Sequence, residues 1–252
     1  MKIGNTVTAS VMAVLVAGLT LPSLPGKGNA QEVTERGDVE LIIREYLLEH
    51  PEILIEMQDV LQKRQQEQVA ENQKRTLADN HEAIYSSPHQ IEIGNPDAKI
   101  TVVEFFDYNC GFCARALDDM NRILETNNDV RFVLKEFPIL GPASVEAHQV
   151  SMAFAKLKPE QYGQYHIDLL SMPGRKDGAR ATELAVSMGA DEAELKAEME
   201  KPYIVEALDE VQAIASGLGI GGTPSYVIGD EVVFGAVGFD ELMQRVAQLS
   251  GE

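Results

Sequence analysis

Two cysteines, Cys110 and Cys113, stand three positions apart in the motif Cys-Gly-Phe-Cys, and the chain has no others. The motif marks a change of hydrophobic period. Before it, KITVVEFFD is an apolar, β-branched run that reads as a buried strand. After it, CGFCARALDDMNRILETN sets Ala114, Leu117, Met120, Ile123 and Leu124 at helical spacing, and a second strand follows at Val130 to Phe137. Strand, helix and strand in that order form one crossover unit, so the two strands must run parallel and the dithiol must open the helix. Cysteines this close cannot clamp distant segments, so the pair is not a structural staple.

A cysteine attacks as its thiolate, and a free thiol is mostly protonated at neutral pH. At a helix start, unpaired N–H groups and the helix dipole favour the anion. Cys110 is therefore expected to attack a substrate disulfide, and Cys113, one turn deeper, to resolve the mixed disulfide. Gly111 and Phe112 between them offer no charge to tune the reduction potential. The dithiol carries the electrons itself, so no cofactor is called for. Half of a zinc site has the same spacing, but zinc needs two more ligands. The five histidines, His50, His81, His89, His148 and His166, show no paired metal spacing, and no metal is assigned. His148 and His166 read as ordinary helix residues. Copper(I) held by the two thiolates is a competing reading from another functional class.

Two further features bear on this chemistry. Glu104 lies inside the apolar strand TVVEFF, where a buried carboxylate needs a partner or a proton. Lys135, in the neighbouring strand VRFVLKEF, is the expected partner, and a buried acid there could relay the proton that Cys113 loses. The alternative is that both side chains reach solvent at strand ends. Thr223-Pro224 precedes the strand SYVI; proline there marks a strand entry, either as an ordinary trans turn or as a cis peptide.

Along the chain, residues 1–30 read as a secretory signal: Lys2, an apolar run from Val11 through Leu21, then small residues around Gly28-Asn29-Ala30. Their removal takes the net charge from −19 to −21, since they hold Lys2, Lys27 and no acid. Such a surface repels phosphate backbones and anionic lipid, which excludes nucleic acid as a partner. Residues 31–62 read as two apolar-striped helices, the first capped by Asp38 and the second opened by Pro51. They could dock on the main domain, but the polar stretch after them favours self-association. Residues 63–87, rich in Gln, Glu, Lys and Arg, read as a helical stalk or linker. The main domain spans 88–252, starting near Gln90. It carries a helical insertion at about 143–218 and a hairpin, Ser225–Ile228 and Glu231–Phe234, turned by Gly229-Asp230.

The strand VVEFFDYNC, the helix-opening CGFC, the helical insertion and GGTP ahead of a hairpin and final helix resemble the DsbA-like branch of the thioredoxin superfamily. The resemblance covers about residues 88–250. It implies an α/β, thioredoxin-like fold with a helical insertion, and a cis Thr223-Pro224 against the dithiol, whose loop binds substrate as an added strand. Glu104, six residues before Cys110, matches the buried acid of that branch, and Lys135 resembles its lysine neighbour. DsbA proper has Pro-His between its cysteines, so Gly111-Phe112 departs from the strongly oxidising pattern. Thr223 and the N-terminal helices are instead similar to the suppressor-of-copper-sensitivity C group and to Com-type exported antigens. That likeness implies a periplasmic disulfide isomerase or reductase acting on exported proteins with disulfides or thiols. It also implies a DsbD-like membrane reductase as redox partner and a homo-oligomer, a trimer for preference, built through residues 31–62. A DsbA-like oxidase is the alternative.

Overall fold

In a computed structural model, the described residues are 28–89 and 91–250, and side chains from Arg36 onward. The signal segment through residue 27 and the domain start at Gln90 lie outside the described residues. The chain divides into two compact units at Val60/Leu61.

The first unit holds α1 (Gly28–Glu49) and the start of α2 (Ile53–Asp79). Helix α1 begins ten residues before Asp38, so Asp38 is an interior residue and not a cap. Pro51 does separate the two helices, two residues ahead of the second. No residue from 36 to 60 is buried. Large apolar side chains stand exposed on both helices: Leu41 58%, Ile42 65%, Leu48 71%, Leu54 64% and Ile55 63%.

The second unit is built on a five-stranded sheet in the order β1-β3-β2-β4-β5. Its strands are β1 (Ile91–Gly94), β2 (Ile100–Phe106), β3 (Val130–Glu136), β4 (Ser225–Ile228) and β5 (Glu231–Phe234). Strands β2 and β3 are parallel, as their crossover requires, and the remaining pairs are antiparallel. Central β2 is almost continuously buried, because helices cover both faces of the sheet. The hairpin β4–β5 turns at Gly229 with φ +57°, where a β-carbon would stand 2.6 Å from Leu249 Cδ2.

One face of the sheet packs Val102, Phe106, Phe132 and Leu134 against α4 (Gly111–Thr126), the insertion and the final helix α10 (Phe239–Ser250). Helix α4 buries Cys113, Ala116, Leu117, Met120 and Ile123, one stripe at helical spacing. The insertion runs through α5 (Pro142–Leu157), α6 (Tyr162–Ser171), α7 (Gly178–Ser187), α8 (Glu192–Met199) and α9 (Pro202–Leu218). The opposite face packs Val103, Phe105, Val133 and Val227 against α9, Leu77 of α2 and Ile84 of α3 (His81–Tyr85).

The stretch read as a stalk therefore ends differently. Leu77 and Ile84 lie in the core of the second unit, while Val69 stays exposed. Gln73 Nε2 and Thr76 Oγ1 donate to the carbonyls of Leu218 and Gly217 at 2.9 and 3.1 Å. Polar composition concealed this because two well-placed apolar residues suffice to dock a helix end.

Candidate active site

Strand β2 ends at Phe106, and Asp107 through Cys110 turn the chain into α4. The turn is held by one buried carboxylate. Asp107 accepts from the Asn109 N–H at 2.8 Å, the Ser144 hydroxyl at 2.8 Å and the Leu140 N–H at 3.0 Å, and its carbonyl accepts the Cys110 N–H. Cys110 is thereby fixed at the N-cap of α4, with Cys113 fully buried one turn in. Both are free thiols. Thr223-Pro224 is cis and lies against them: Cys110 Sγ donates to the Thr223 carbonyl at 3.1 Å.

The two thiols differ sharply. The Cys110 thiol is lowered from 9.0 to about 5, first by the hydrogen bond from the Cys113 thiol, against burial, then by the Thr223 side chain and the N–H groups of Cys113 and Phe112. Cys113 is pushed far up by the same hydrogen bond, by burial and by Glu104. The outer sulfur is an anion at neutral pH and the inner one holds its proton, the asymmetry that attack followed by resolution requires. Gly111 and Phe112 are exposed, and Arg115 stacks 4.2 Å from the Phe112 ring.

Glu104 is buried, and its carboxyl is raised from 4.5 to about 8 by burial first, then by Cys110 and Asp119. The expected pairing with Lys135 does not form. In the β2–β3 register Glu104 stands opposite Leu134, and Lys135 opposite Phe105. Adjacent positions on a strand point to opposite faces, so Glu104 shares the α4 face with the dithiol while Lys135 points to the α9 side. There Lys135 donates to the Ala83 carbonyl at 2.6 Å, and burial lowers it to about 8 against Glu210 and Glu92. No hydrogen bond or ion pair from a described residue reaches the Glu104 carboxyl. It is a buried acid that holds its proton at neutral pH.

Sequence reasoning missed a second buried group behind the turn. Glu136 accepts from Ser151 Oγ at 2.7 Å and the Tyr162 hydroxyl at 3.2 Å, and pairs with His148 Nδ1 in a short contact. The Tyr108 N–H donates to His148 Nε2 at 3.3 Å, so that nitrogen is an acceptor and Nδ1–H faces the carboxylate. The Tyr108 hydroxyl reaches Ser151 at 2.7 Å and His166 Nδ1 at 3.2 Å. Burial, with His148 adding to it, lowers His166 to about 3 and keeps it neutral. His148 and His166 are thus core partners and not plain helix residues. The available signal was Lys135-Glu136: two charged neighbours in a buried strand must fall on opposite faces, and each needs its own environment. Among the described residues no group of three or more His, Cys, Asp or Glu could hold a metal ion, and no helix is long and apolar enough to cross a membrane.

The comparisons agree with this geometry. Residues 101–247 match the family described as DSBA-like thioredoxin domain, and residues 35–68 the one described as copper resistance protein ScsC N-terminal domain. A thioredoxin-like oxidoreductase from Silicibacter pomeroyi is 33% identical, over 69% of this chain and 99% of its own, with a TM-score of 0.65. The catalytic domain of Proteus mirabilis ScsC is 30% identical over 71% of this chain and 99% of its own, with a TM-score of 0.64. A periplasmic thioredoxin-like protein from Salmonella enterica serovar Typhimurium is 26% identical over 68% and 96%, with a TM-score of 0.60. No curated protein matches the chain. With the match extending from β2 into the final helix, the chain belongs to the DSBA-like thioredoxin domain family, as a thiol–disulfide oxidoreductase of the DsbA/ScsC type with Cys110 and Cys113 as its Cys-x-x-Cys pair.

Proposed function

We propose that this oxidoreductase is a periplasmic disulfide isomerase and reductase of exported proteins. It works as a homo-oligomer, with a trimer favoured, joined through residues 31–62. The observation that carries this reading is the first unit, whose large apolar side chains from Val39 to Val60 are exposed except for the half-buried Ile53. Burying each is worth about 1.5–3 kcal/mol, and the same helices of further copies are the surface with matching composition. Several dithiols held around one captured substrate favour release and retry over a single exchange.

In the isomerase cycle the Cys110 thiolate attacks a substrate disulfide, forming a Cys110–substrate bond as the substrate S–S bond breaks. The freed substrate thiolate then attacks another of its disulfides, and a substrate thiolate finally displaces Cys110, with no net electron transfer. Should Cys113 attack Cys110 first, the substrate leaves reduced and the pair is oxidised. Two electrons must then return from a membrane dithiol donor of the DsbD-like kind. Thr223 and Pro224 flank the attacking sulfur and are the residues to which a substrate strand would add. The signal-like residues 1–30 and the periplasmic Salmonella relative support the location.

One observation favours an oxidase: a Cys110 thiolate stable down to about pH 5 stabilises the reduced pair and makes the disulfide more oxidising. Refolding of a scrambled substrate, with sedimentation and a glutathione redox titration, separates the readings. Ile42→Glu with Leu54→Glu is expected to give a monomer that keeps thiol–disulfide exchange and loses isomerase activity. A wild-type potential near about −120 mV with no isomerase activity would make it an oxidase.

A further inference from the structure

Arg115 follows Gly111 by four positions and Phe112 by three, the spacings at which residues meet on one face of a helix. Its Nη1 donates to the Gly111 carbonyl at 3.2 Å, and its guanidinium carbon lies 4.2 Å from the centroid of the Phe112 ring. The hydrogen bond and the ring hold a planar cation over the two residues that separate the cysteines. Gly111, Phe112 and Arg115 are all exposed, so this plate forms part of the surface around the attacking sulfur.

Among the described residues no carboxylate takes up the charge: the Gly111 carbonyl and the Phe112 ring are the contacts Arg115 makes. Asp118 and Asp119 follow at three and four positions, yet an arginine ahead of its acid is the less favourable order for a helical pair. Arg36, Arg131 and Arg245 each sit in an ion pair. With 40 acidic residues against 21 basic ones in the chain, an arginine with no carboxylate beside the dithiol is a departure from that pattern. A guanidinium has five N–H donors in a fork that fits a carboxylate, and one is spent on Gly111.

A mixed disulfide brings the two Cα atoms to about 4.4–6.8 Å. Side chains next to the substrate cysteine therefore fall within reach of a group seated on the residue after Cys110. We propose that Phe112 and Arg115 are a specificity element of the exchange reaction: the guanidinium, laid on the Phe112 ring, receives the carboxylate of an Asp or Glu next to the reacting cysteine of the substrate. The acidic surface otherwise repels such a segment, and the arginine gives it one point of productive approach. The inference rests on Cys110 as the attacking sulfur and holds for an isomerase and an oxidase alike.

The test is stopped-flow exchange between the reduced full-length protein and two peptides that differ only in Glu or Gln beside a single cysteine, whose sulfur carries thionitrobenzoate. The Cys110 thiolate attacks the peptide sulfur, the Cys110–peptide bond forms as the peptide–thionitrobenzoate bond breaks, and the coloured thiolate leaves. The ratio of the Glu rate to the Gln rate is the readout, because a change in thiolate population or in folded fraction scales both rates alike. Arg115→Gln is expected to lower the ratio about threefold, and Arg115→Glu to lower it further. Arg115→Lys, which keeps the charge, should hold it above the Arg115→Gln value. Arg122→Gln removes the same charge further along α4, where Arg122 lies over the Phe239 ring, and should leave the ratio unchanged. Equal ratios in wild type and Arg115→Gln overturn the proposal, and so does an equal fall in Arg122→Gln, which would assign the effect to net charge. Rapid release with equal ratios leaves the exchange reading intact and removes this one alone. A wild-type protein that releases the coloured thiolate from neither peptide removes both.

Discussion

Replacing Glu104 by Gln isolates the buried acid beneath the dithiol. Between its ordinary 4.5 and about 8, the unfolded chain carries this residue ionised and the folded protein carries it protonated. The folded state binds the extra proton, so stability falls as pH rises, by about 1.4 kcal/mol per pH unit. Across that window the loss is about 4–5 kcal/mol, a large share of the roughly 5–15 kcal/mol that holds a domain together. Cys110 acts in the opposite sense. Its thiol is depressed from 9.0 to about 5, so over the same range the unfolded state binds the extra proton and stability rises with pH. The two slopes oppose each other in the reduced protein; oxidation removes the cysteine's slope and weakens that of Glu104, which keeps the larger part due to burial. Urea unfolding from pH 5 to pH 8 in both redox states reads this directly. Oxidised wild type is expected to lose stability with rising pH relative to oxidised Glu104→Gln, whose remaining slope is the rise up to about pH 6.5 that the buried, neutral His166 gives. Reduced wild type should gain less with pH than reduced Glu104→Gln, which gains throughout. Parallel profiles for oxidised wild type and variant would refute the buried, protonated acid.

Phe112→His adds a titratable cation at an exposed position, where Phe112 is 58% accessible. Cys110 is expected to titrate lower still and the potential in glutathione to rise, with fold stability changed by no more than about 1 kcal/mol. Thr223→Val removes the hydroxyl that supports the Cys110 thiolate and keeps the backbone carbonyl. The thiolate midpoint should move up by about one pH unit, measured by ultraviolet absorbance. His148→Ala takes a partner from the buried Glu136 carboxylate and the acceptor from the Tyr108 N–H. A loss of about 3 kcal/mol or more in urea unfolding is expected, with the potential unchanged.

The parts of the fold legible in the sequence are those with a local signal. KITVVEFF is a continuous apolar run, Ala114 to Leu124 a stripe at helical spacing and Gly229-Asp230 a two-residue turn between apolar segments, and each became the element it resembled. The dithiol was legible because strand, motif and helix adjoin along the chain. Lys135 was misplaced because strand membership does not determine face: one position of register separates the dithiol side from the α9 side. The Glu136 group was hidden for another reason. SVEAHQVSMAF reads as an amphipathic helix with polar positions left for water, yet Ser144, His148 and Ser151 are buried because the insertion folds back over β3. The grip of Asn109 on the backbone of Lys176 was hidden because that loop has no periodicity and lies 67 positions along the chain.

Glu104 and Glu136 show how neighbouring acids on one sheet acquire different chemistry. Glu136 stands opposite Phe106 and Glu104 opposite Leu134, so both point to the α4 face, two rungs apart. Glu136 is met by Ser151, Tyr162 and His148, and its charge is compensated by fixed donors. Glu104 has no such donors, and its nearest electrostatic neighbours, Cys110 and Asp119, are anions. A carboxyl in that position answers to the charge on sulfur. When the disulfide is reduced and Cys110 becomes a thiolate, Glu104 holds its proton more tightly, and when the thiolate attacks and its charge leaves, the proton is held less tightly. Cys113, whose own thiol is pushed up partly by Glu104, must lose a proton to resolve the mixed disulfide. Between the two buried acids, therefore, Glu104 is the one whose proton feels the charge on sulfur, and Glu136 is the one tied through His148 to the backbone of the turn.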